Sequence, residues 1–468
     1  MPFQSLNPAT GKLIESFATL SDADVQTVIA SAQRAFESLW RKTPIDQRAA
    51  AMARAAEIMR AKAEELAAHI VTEIGKRVAE ARAEVELVAS IFDYYAKTSE
   101  AHIKPRPVPD AQDAFLHVEP IGIILAIEPW NFPYYQAARV VAPQLMVGNV
   151  VILKHAENCP RCALALADIL EEAGVPDGVF TNIFASIEQV GRIIDDPRVR
   201  GVTLTGSERA GAAVAERAGR NLKKVVMELG GSDPLIVLED APLDWAIGSA
   251  VVGRMANTGQ TCVGTKRIIV VGGERGAAFL AGIKQKMGSM AAGDPSDEAT
   301  QLGPLSSERA LSGLLSQIEK AKSNGATVEL GGSRIDRPGF YLEPTILTNV
   351  TPSNPVYAEE FFGPVVQLHV VDTQDDAVAL ANATPFGLGG SVFTADEARG
   401  LAVAQQIDSG MVCINQPFKT AANLPFGGTK NSGFGRELAQ QGLDEFVNKK
   451  VITTAPAGAP PRGSYRRG

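Results

Sequence analysis

The sequence predicts an α/β protein built on mostly parallel sheets with helices on both faces, and three observations carry that prediction. Short, nearly unbroken apolar runs recur at 121–127, 150–153, 179–184, 199–204 and 224–229. Helical segments at 160–173, 187–194 and 208–219 separate them, and this alternation marks a parallel sheet buried on both sides. A second alternating region follows through 266–272, 278–291, 308–324, 363–372, 375–382 and 390–393.

Taken in order, the first hundred residues read as helices. Ser21 and Asp22 are cap candidates, and Val25, Val28, Ile29, Ala32 and Phe36 recur at helical spacing. An Ala-rich stretch opens at Pro44 near Asp46 and runs to Gly75; a third helix covers about 77–98. The Pro-rich piece at 104–109 breaks the pattern, and 114–118 reads as a strand. Residues 241–259 read as a buried helix with small side chains. The tail after Thr454, rich in Pro, Gly and Arg, is expected to be disordered unless a neighbour orders it.

Composition excludes several classes. A chain of 468 residues needs no disulfide or metal staple to bury a core. Its 45 Lys and Arg against 53 Asp and Glu leave a formal charge of −8, which argues against a nucleic-acid groove or an anionic membrane surface as partner. No secretory signal or membrane-length apolar window is visible. The four cysteines are too sparse for a disulfide framework, so a cytoplasmic location is expected. The five histidines form no HExxH or HxxxH pair, which disfavours a zinc hydrolase.

Read one at a time, the candidate residues each have two readings. Cys262, at the end of Asn257–Thr–Gly–Gln–Thr–Cys262, is a candidate nucleophile or a half-buried cysteine in a Gly-containing turn. Glu228 closes an apolar run before Leu229 and Gly230, as a general base or a plain strand-end charge. Asn131 follows Trp130 after the 121–127 strand, where its amide is placed either to donate to an oxyanion or to make an Asx turn. Gly206 and Ser207 end a strand and Gly211 lies in the helix that follows, an arrangement for pyrophosphate or an ordinary turn. Lys154 and Glu157 are placed to bracket a ribose. Cys159 and Cys162 make a lone CxxC, read as a buried pair, and Cys413 reads as core.

Together these segments resemble the aldehyde dehydrogenase superfamily. Its pieces stand in order across nearly the whole chain: Pro129–Trp–Asn–Phe–Pro133, Lys154–His–Ala–Glu157, Thr205–Gly–Ser–Glu–Arg–Ala–Gly211 and Glu228–Leu–Gly–Gly231. Gly259–Gln–Thr–Cys262, Glu360–Phe–Phe–Gly–Pro364 and Pro425–Phe–Gly–Gly–Thr–Lys430 follow. The resemblance implies a Rossmann-type cofactor domain (1–100 and 120–228), an α/β catalytic domain (229–440), and a β-hairpin oligomerisation element with tail (101–119 and 441–468). It implies a homodimer or homotetramer. It also implies Cys262 as nucleophile, Glu228 as the base that activates water, and Asn131 with the Cys262 N–H as oxyanion donors. Trp130, Lys154, Glu157, Gly206, Ser207, Gly211, Leu229, Gly230, Glu360 and Phe362 would meet the cofactor. A carboxylate at 157 favours NAD, with NADP as the alternative.

Within that superfamily the chain resembles the bacterial NAD(P)-dependent succinate-semialdehyde dehydrogenases. Arg139, nine residues after Trp130, stands where those enzymes carry an arginine that grips the substrate's far carboxylate. Ala256 stands where mammalian members have a second arginine, and 419–424 lacks the Asp-Pro-Arg common in the bacterial branch. The pocket residues Tyr134, Tyr135, Gln136 and Phe418 therefore leave another aliphatic, hydroxylated or aromatic aldehyde open. A CoA-acylating enzyme usually lacks the carboxylate at 228, and a non-enzymatic member of the fold tends to lose the nucleophile, the base or the cofactor contacts.

Overall fold

The structure, a computed structural model, describes residues 3–458. An antiparallel hairpin, Phe3–Asn7 with Lys12–Phe17, precedes the helices and is absent from the purely helical reading of this region. Ser21 caps the helix Asp22–Ser38 through a reciprocal box with Asp24. The Ala-rich stretch breaks at Lys62 into Ile45–Ala61 and Ala63–Ile74, and Gly75 ends it in the left-handed region. Val78–Ile103 follows, longer than its apolar spacing alone indicates.

One sheet runs, in space, Gly433–Phe434, Lys224–Glu228, Val199–Thr205, Ile123–Glu128, Val150–His155 and Phe180–Asn182. Its neighbours are parallel except for the returning Gly433–Phe434 strand. Strand order reverses between Ile123–Glu128 and Val199–Thr205. Connections leaving the carboxyl ends of two such strands diverge to opposite faces and open a crevice between them. Here those connections carry Trp130 and Asn131 on one side and Gly206 and Ser207 on the other.

A second sheet is ordered Thr327–Leu330, Thr345–Thr348, Val365–Val371, Thr265–Val271, Asp233–Val237, Ser391–Phe393 and Cys413–Ile414. Only the Thr327–Leu330 edge is antiparallel. The expected outer hairpin is present as a three-stranded antiparallel sheet of Val447–Thr453, Ala111–Pro120 and Arg106–Val108. Of the tail, residues 459–468 lie outside the described residues. Among the described residues no helix is long and apolar enough to cross a membrane.

Candidate active site

The crevice is shaped first by the helix Pro133–Val147, which the periodicity reading does not separate because it is buried on every side and has no polar face to give it a period. Its cap residue Phe132 offers no side-chain oxygen to the first-turn N–H groups. Glu84 takes that role from another helix: its Oε1 accepts the N–H groups of Tyr134 and Tyr135 at 3.0 and 3.2 Å. Lys76 pairs with Glu84 at 2.5 Å and lies 3.5 Å from the centre of the Phe132 ring. Both side chains of the pair are fully buried. Lys76→Met strands the Glu84 charge, at a cost of roughly 3–5 kcal/mol. The expected result is a clearly lower midpoint in denaturant unfolding, and an unchanged midpoint would count against this role for the pair.

The cysteine loop is shaped by a break in the expected 241–259 helix. The helix ends at Met255, and Asn257 and Thr258 adopt φ of 52° and 54°. Left-handed non-glycine residues cost roughly 1–3 kcal/mol each and persist only where surroundings enforce them. Here Asn257 Nδ2 donates to Asn131 O at 2.8 Å and to Gln260 O at 3.2 Å, while Gln260 Oε1 accepts the Ser306 N–H at 2.9 Å. The kink thus ties the two loops that carry Asn131 and Cys262.

Asn131 is buried, and both ends of its amide are oriented. Oδ1 accepts from Gln136 Nε2 at 3.1 Å, and Nδ2 donates one hydrogen to Gln260 O at 3.1 Å. The second Nδ2 hydrogen remains for a ligand. Gln136, expected as a substrate-pocket residue, orients Asn131, and Asn257 and Gln260, which the sequence shows only as part of the stretch leading to Cys262, tie that stretch to Asn131. On the other side, Lys266 Nζ donates to Cys262 O at 2.6 Å and Thr261 O at 2.9 Å and pairs with Glu360 at 2.9 Å. Gly231 allows the Cys262 carbonyl to approach: a Cβ there would lie 2.5 Å from that oxygen.

These loops enclose a cavity of about 310 Å³ lined by Trp130, Asn131, Gln136, Gly206, Ser207, Leu229, Gly230, Cys262, Glu360 and Phe362. Residues scattered over more than two hundred positions meet there. Trp130 and Phe362 touch edge to face at 5.8 Å. Ser207 caps the helix Glu208–Arg220, and Gly211 within it packs directly against Leu229. A larger cavity of about 670 Å³ shares Trp130, Glu360 and Phe362 and extends to Glu157. Lys154 and Glu157 form an ion pair at 2.5 Å. Burial works to raise the Glu157 pKa, but the Lys154 ammonium prevails and holds it below the usual carboxylate range.

Burial pushes the Cys262 thiol up to about 11, against the lowering influence of Arg139 and Lys266. The other cysteines stand apart. Cys159 and Cys162 are buried, with Cys159 Sγ 3.0 Å from His155 Nδ1, whereas Cys413 is half-buried rather than core.

Besides Lys154, Glu157 and Gly211, the predicted residues Glu228, Tyr135, Phe418 and Arg139 do not line the smaller cavity. Glu228 is buried behind Leu229, with Oε1 so close to Gly427 that a Cβ there would lie 2.6 Å away. Burial, with Glu437 beside it, raises its pKa well above the carboxylate range. Tyr135 and Phe418 form an aromatic group with Phe426, and the Tyr135 hydroxyl meets Thr420 Oγ1 at 2.7 Å. Arg139 is turned inward: its side chain has no exposed surface and its Nε lies 2.8 Å from Glu437.

A cysteine facing an amide donor at the switch point of a parallel sheet, beside a nucleotide-sized crevice, defines a covalent, cofactor-using α/β oxidoreductase. The chain matches the aldehyde dehydrogenase family over residues 1–452 and belongs to that family. It is 48% identical to a succinate-semialdehyde dehydrogenase [NADP(+)] of Deinococcus radiodurans, over 98% of this chain and 96% of that one. It is 42% identical to a succinate-semialdehyde dehydrogenase [NADP(+)] 1 of Mycobacterium tuberculosis, over 97% and 100% of the two chains. A crystal structure of succinic semialdehyde dehydrogenase from Streptococcus pyogenes, in complex with NADP+, superposes with a TM-score of 0.95 at 40% identity, covering 97% of this chain and 99% of that one. The protein is therefore an NAD(P)-dependent aldehyde dehydrogenase.

Proposed function

We propose that the chain oxidises succinate semialdehyde, or a closely similar ω-carboxy aldehyde, to the acid, with Cys262 as nucleophile and NAD as preferred cofactor. The observation that carries the chemistry is the shared cavity, which puts the Cys262 thiol and the free Asn131 amide hydrogen against the strand-end crevice. The substrate class is supported by the names of the similar enzymes.

The Cys262 sulfur, once deprotonated, attacks the aldehyde carbon and forms a C–S bond. The oxygen that becomes negative is held by Asn131 Nδ2 and the Cys262 N–H. The residues present fit a dinucleotide: Ser207 at a helix N-terminus suits pyrophosphate, the Lys154–Glu157 pair suits a ribose, and Glu360 and Phe362 flank the inner cavity. When bound, that cofactor supplies the hydride acceptor. Glu228 then takes a proton from the water that cleaves the Cys262 thioester, and the thiolate leaves. Because its carboxyl stands against Gly427, this step requires rotation about the Glu228 side-chain bonds.

NAD is preferred because the ionised Glu157 faces the same cavity and already holds Lys154, leaving a 2′-phosphate a like charge and a committed cation. The test is initial rates of NADH and NADPH formation over succinate semialdehyde, glutarate semialdehyde, glycolaldehyde, a medium aliphatic aldehyde and benzaldehyde. The ω-carboxy aldehydes with NAD should lead, and Glu157→Ser should raise the NADP to NAD ratio of kcat/KM by about tenfold or more, equivalent to about 1.4 kcal/mol. A lead for an uncharged aldehyde would overturn the substrate, and a lead for NADP in the unaltered protein would overturn the cofactor preference.

Residues 1–100 with 120–228 serve as the cofactor-binding unit and 229–440 as the catalytic unit. The outer sheet leaves Phe115, Val451 and Ile452 exposed, which supports assembly into a homodimer or homotetramer through it. Four free thiols suit a cytoplasmic setting.

A further inference from the structure

We propose that Lys266 is a positioning residue for the oxyanion site: its ammonium holds the Thr261 carbonyl and so aims the Cys262 N–H at the developing oxyanion. The inference rests on the assignment of Cys262 as nucleophile.

The ammonium is placed by the local chain and by charge. Lys266 is the second residue of the strand Thr265–Val271, just past the cysteine loop, and is 1% exposed. A buried ammonium needs a partner for each of its three hydrogens. All three are present: Thr261 O at 2.9 Å, Cys262 O at 2.6 Å and the Glu360 carboxylate at 2.9 Å. Glu360 is held in turn, since the same Oε1 accepts the Gly231 N–H at 3.2 Å. The opposite charge thus keeps the ammonium against the two loop carbonyls.

What the ammonium orients is the peptide between Thr261 and Cys262. A peptide unit is planar and trans, so its carbonyl and its N–H point in opposite directions. With Thr261 O drawn to Lys266, the Cys262 N–H points away from the ammonium. The Gly264 N–H meets the same oxygen at 3.1 Å and restrains the plane a second time. Among the described residues the Cys262 N–H has no acceptor, which leaves its hydrogen for a ligand. The other donor stands close by in the chain path: Asn131 Nδ2 rests on Gln260 O at 3.1 Å, and Asn131 and Cys262 line one cavity. A cation on the carbonyl side also polarises the peptide and makes its N–H a stronger donor.

The experiment reads the acyl oxygen directly. In Glu228→Gln given NAD and an ω-carboxy aldehyde isotope-labelled at the carbonyl, the thioester accumulates. Its C=O stretch, taken by difference infrared spectroscopy, reports hydrogen bonding to that oxygen. Adding Lys266→Met should raise the frequency, because the N–H is less well aimed. In the otherwise unaltered chain, Lys266→Met should lower kcat by about tenfold or more, towards the roughly hundred- to thousandfold cost of deleting an oxyanion donor. Lys266→Arg keeps the charge, but its planar fork cannot set one nitrogen on three acceptors. It should raise the stretch and slow the single-turnover rate of NADH formation. Labelling of the Cys262 peptide by iodoacetamide, which forms no oxyanion, should keep its rate in that variant. Lys266→Arg also serves alone if Lys266→Met does not fold. An unmoved stretch in the folded variants, or full turnover in Lys266→Met, would overturn the inference. Labelling and single turnover slowed by the same factor in Lys266→Arg would overturn it in favour of a role at the thiol. If Glu228→Gln alone accumulates no thioester, the base assignment fails, and the labelling and single-turnover rates decide the role of Lys266. Oxidation persisting in Cys262→Ala would remove the nucleophile assignment and the inference with it.

Discussion

Cys262→Ala is expected to abolish aldehyde oxidation, lowering kcat by about a thousandfold or more, while cofactor binding survives. The loss is this large because no other described group in the cavity can take the sulfur's place: Asn131 and Gln136 are amides, Ser207 caps a helix, Thr205 Oγ1 is held by Arg139, and Glu360 is tied to Lys266. Binding should survive because the surfaces proposed to hold the dinucleotide come from other segments. Trp130 lines both cavities, so quenching of its fluorescence by NAD measures binding without turnover. A variant that still oxidises aldehyde would remove Cys262 from the mechanism. One that loses turnover together with cofactor affinity would show that the loop, not the thiol, had failed.

Glu228→Gln carries the second largest effect. The amide cannot take a proton from water, so thioester cleavage should slow by roughly a hundred- to ten-thousandfold. Formation of the thioester needs the thiol, the oxyanion donors and the cofactor as hydride acceptor, but not Glu228, and should proceed once per site. Rapid mixing should therefore show a burst of NADH near one equivalent per subunit, followed by a slow steady rate. Absence of the burst would assign Glu228 to activation of the thiol, and an undiminished steady rate would remove it as a base. Substitution also removes a buried carboxyl group that has no hydrogen-bond partner, so the variant is expected to be no less stable than the parent.

The legibility of the site in the sequence was uneven for reasons visible in particular residues. The strands at 121–127, 150–153 and 199–204 announce themselves because both of their faces are buried and the apolar run is nearly continuous. The helix Pro133–Val147 is buried all round as well, so no period separates it from the strand before it. The hairpin at 3–17 was hidden because its second strand is mostly exposed and carries little apolar alternation. Cys262, Asn131 and Glu228 could be named because short motifs stand around them in a fixed order. Lys76, Glu84 and Lys266 could not be, since nothing in their local sequence distinguishes a buried partner from a solvated charge.

The amino-acid order by itself determined the α/β class, the two alternating regions, the family resemblance, and the identities of the nucleophile, base and oxyanion donor as candidates. These follow from apolar periodicity and from motifs a few residues long, both local properties of the chain. What Arg139 touches was decided only by the tertiary structure. Its position after Trp130 suits a substrate grip, while the helix that carries it is enclosed on every side and Glu437 arrives from the far end of the chain. A charge in the interior is held by whatever lies within a few ångströms of it, and that neighbourhood exists only once distant segments have packed.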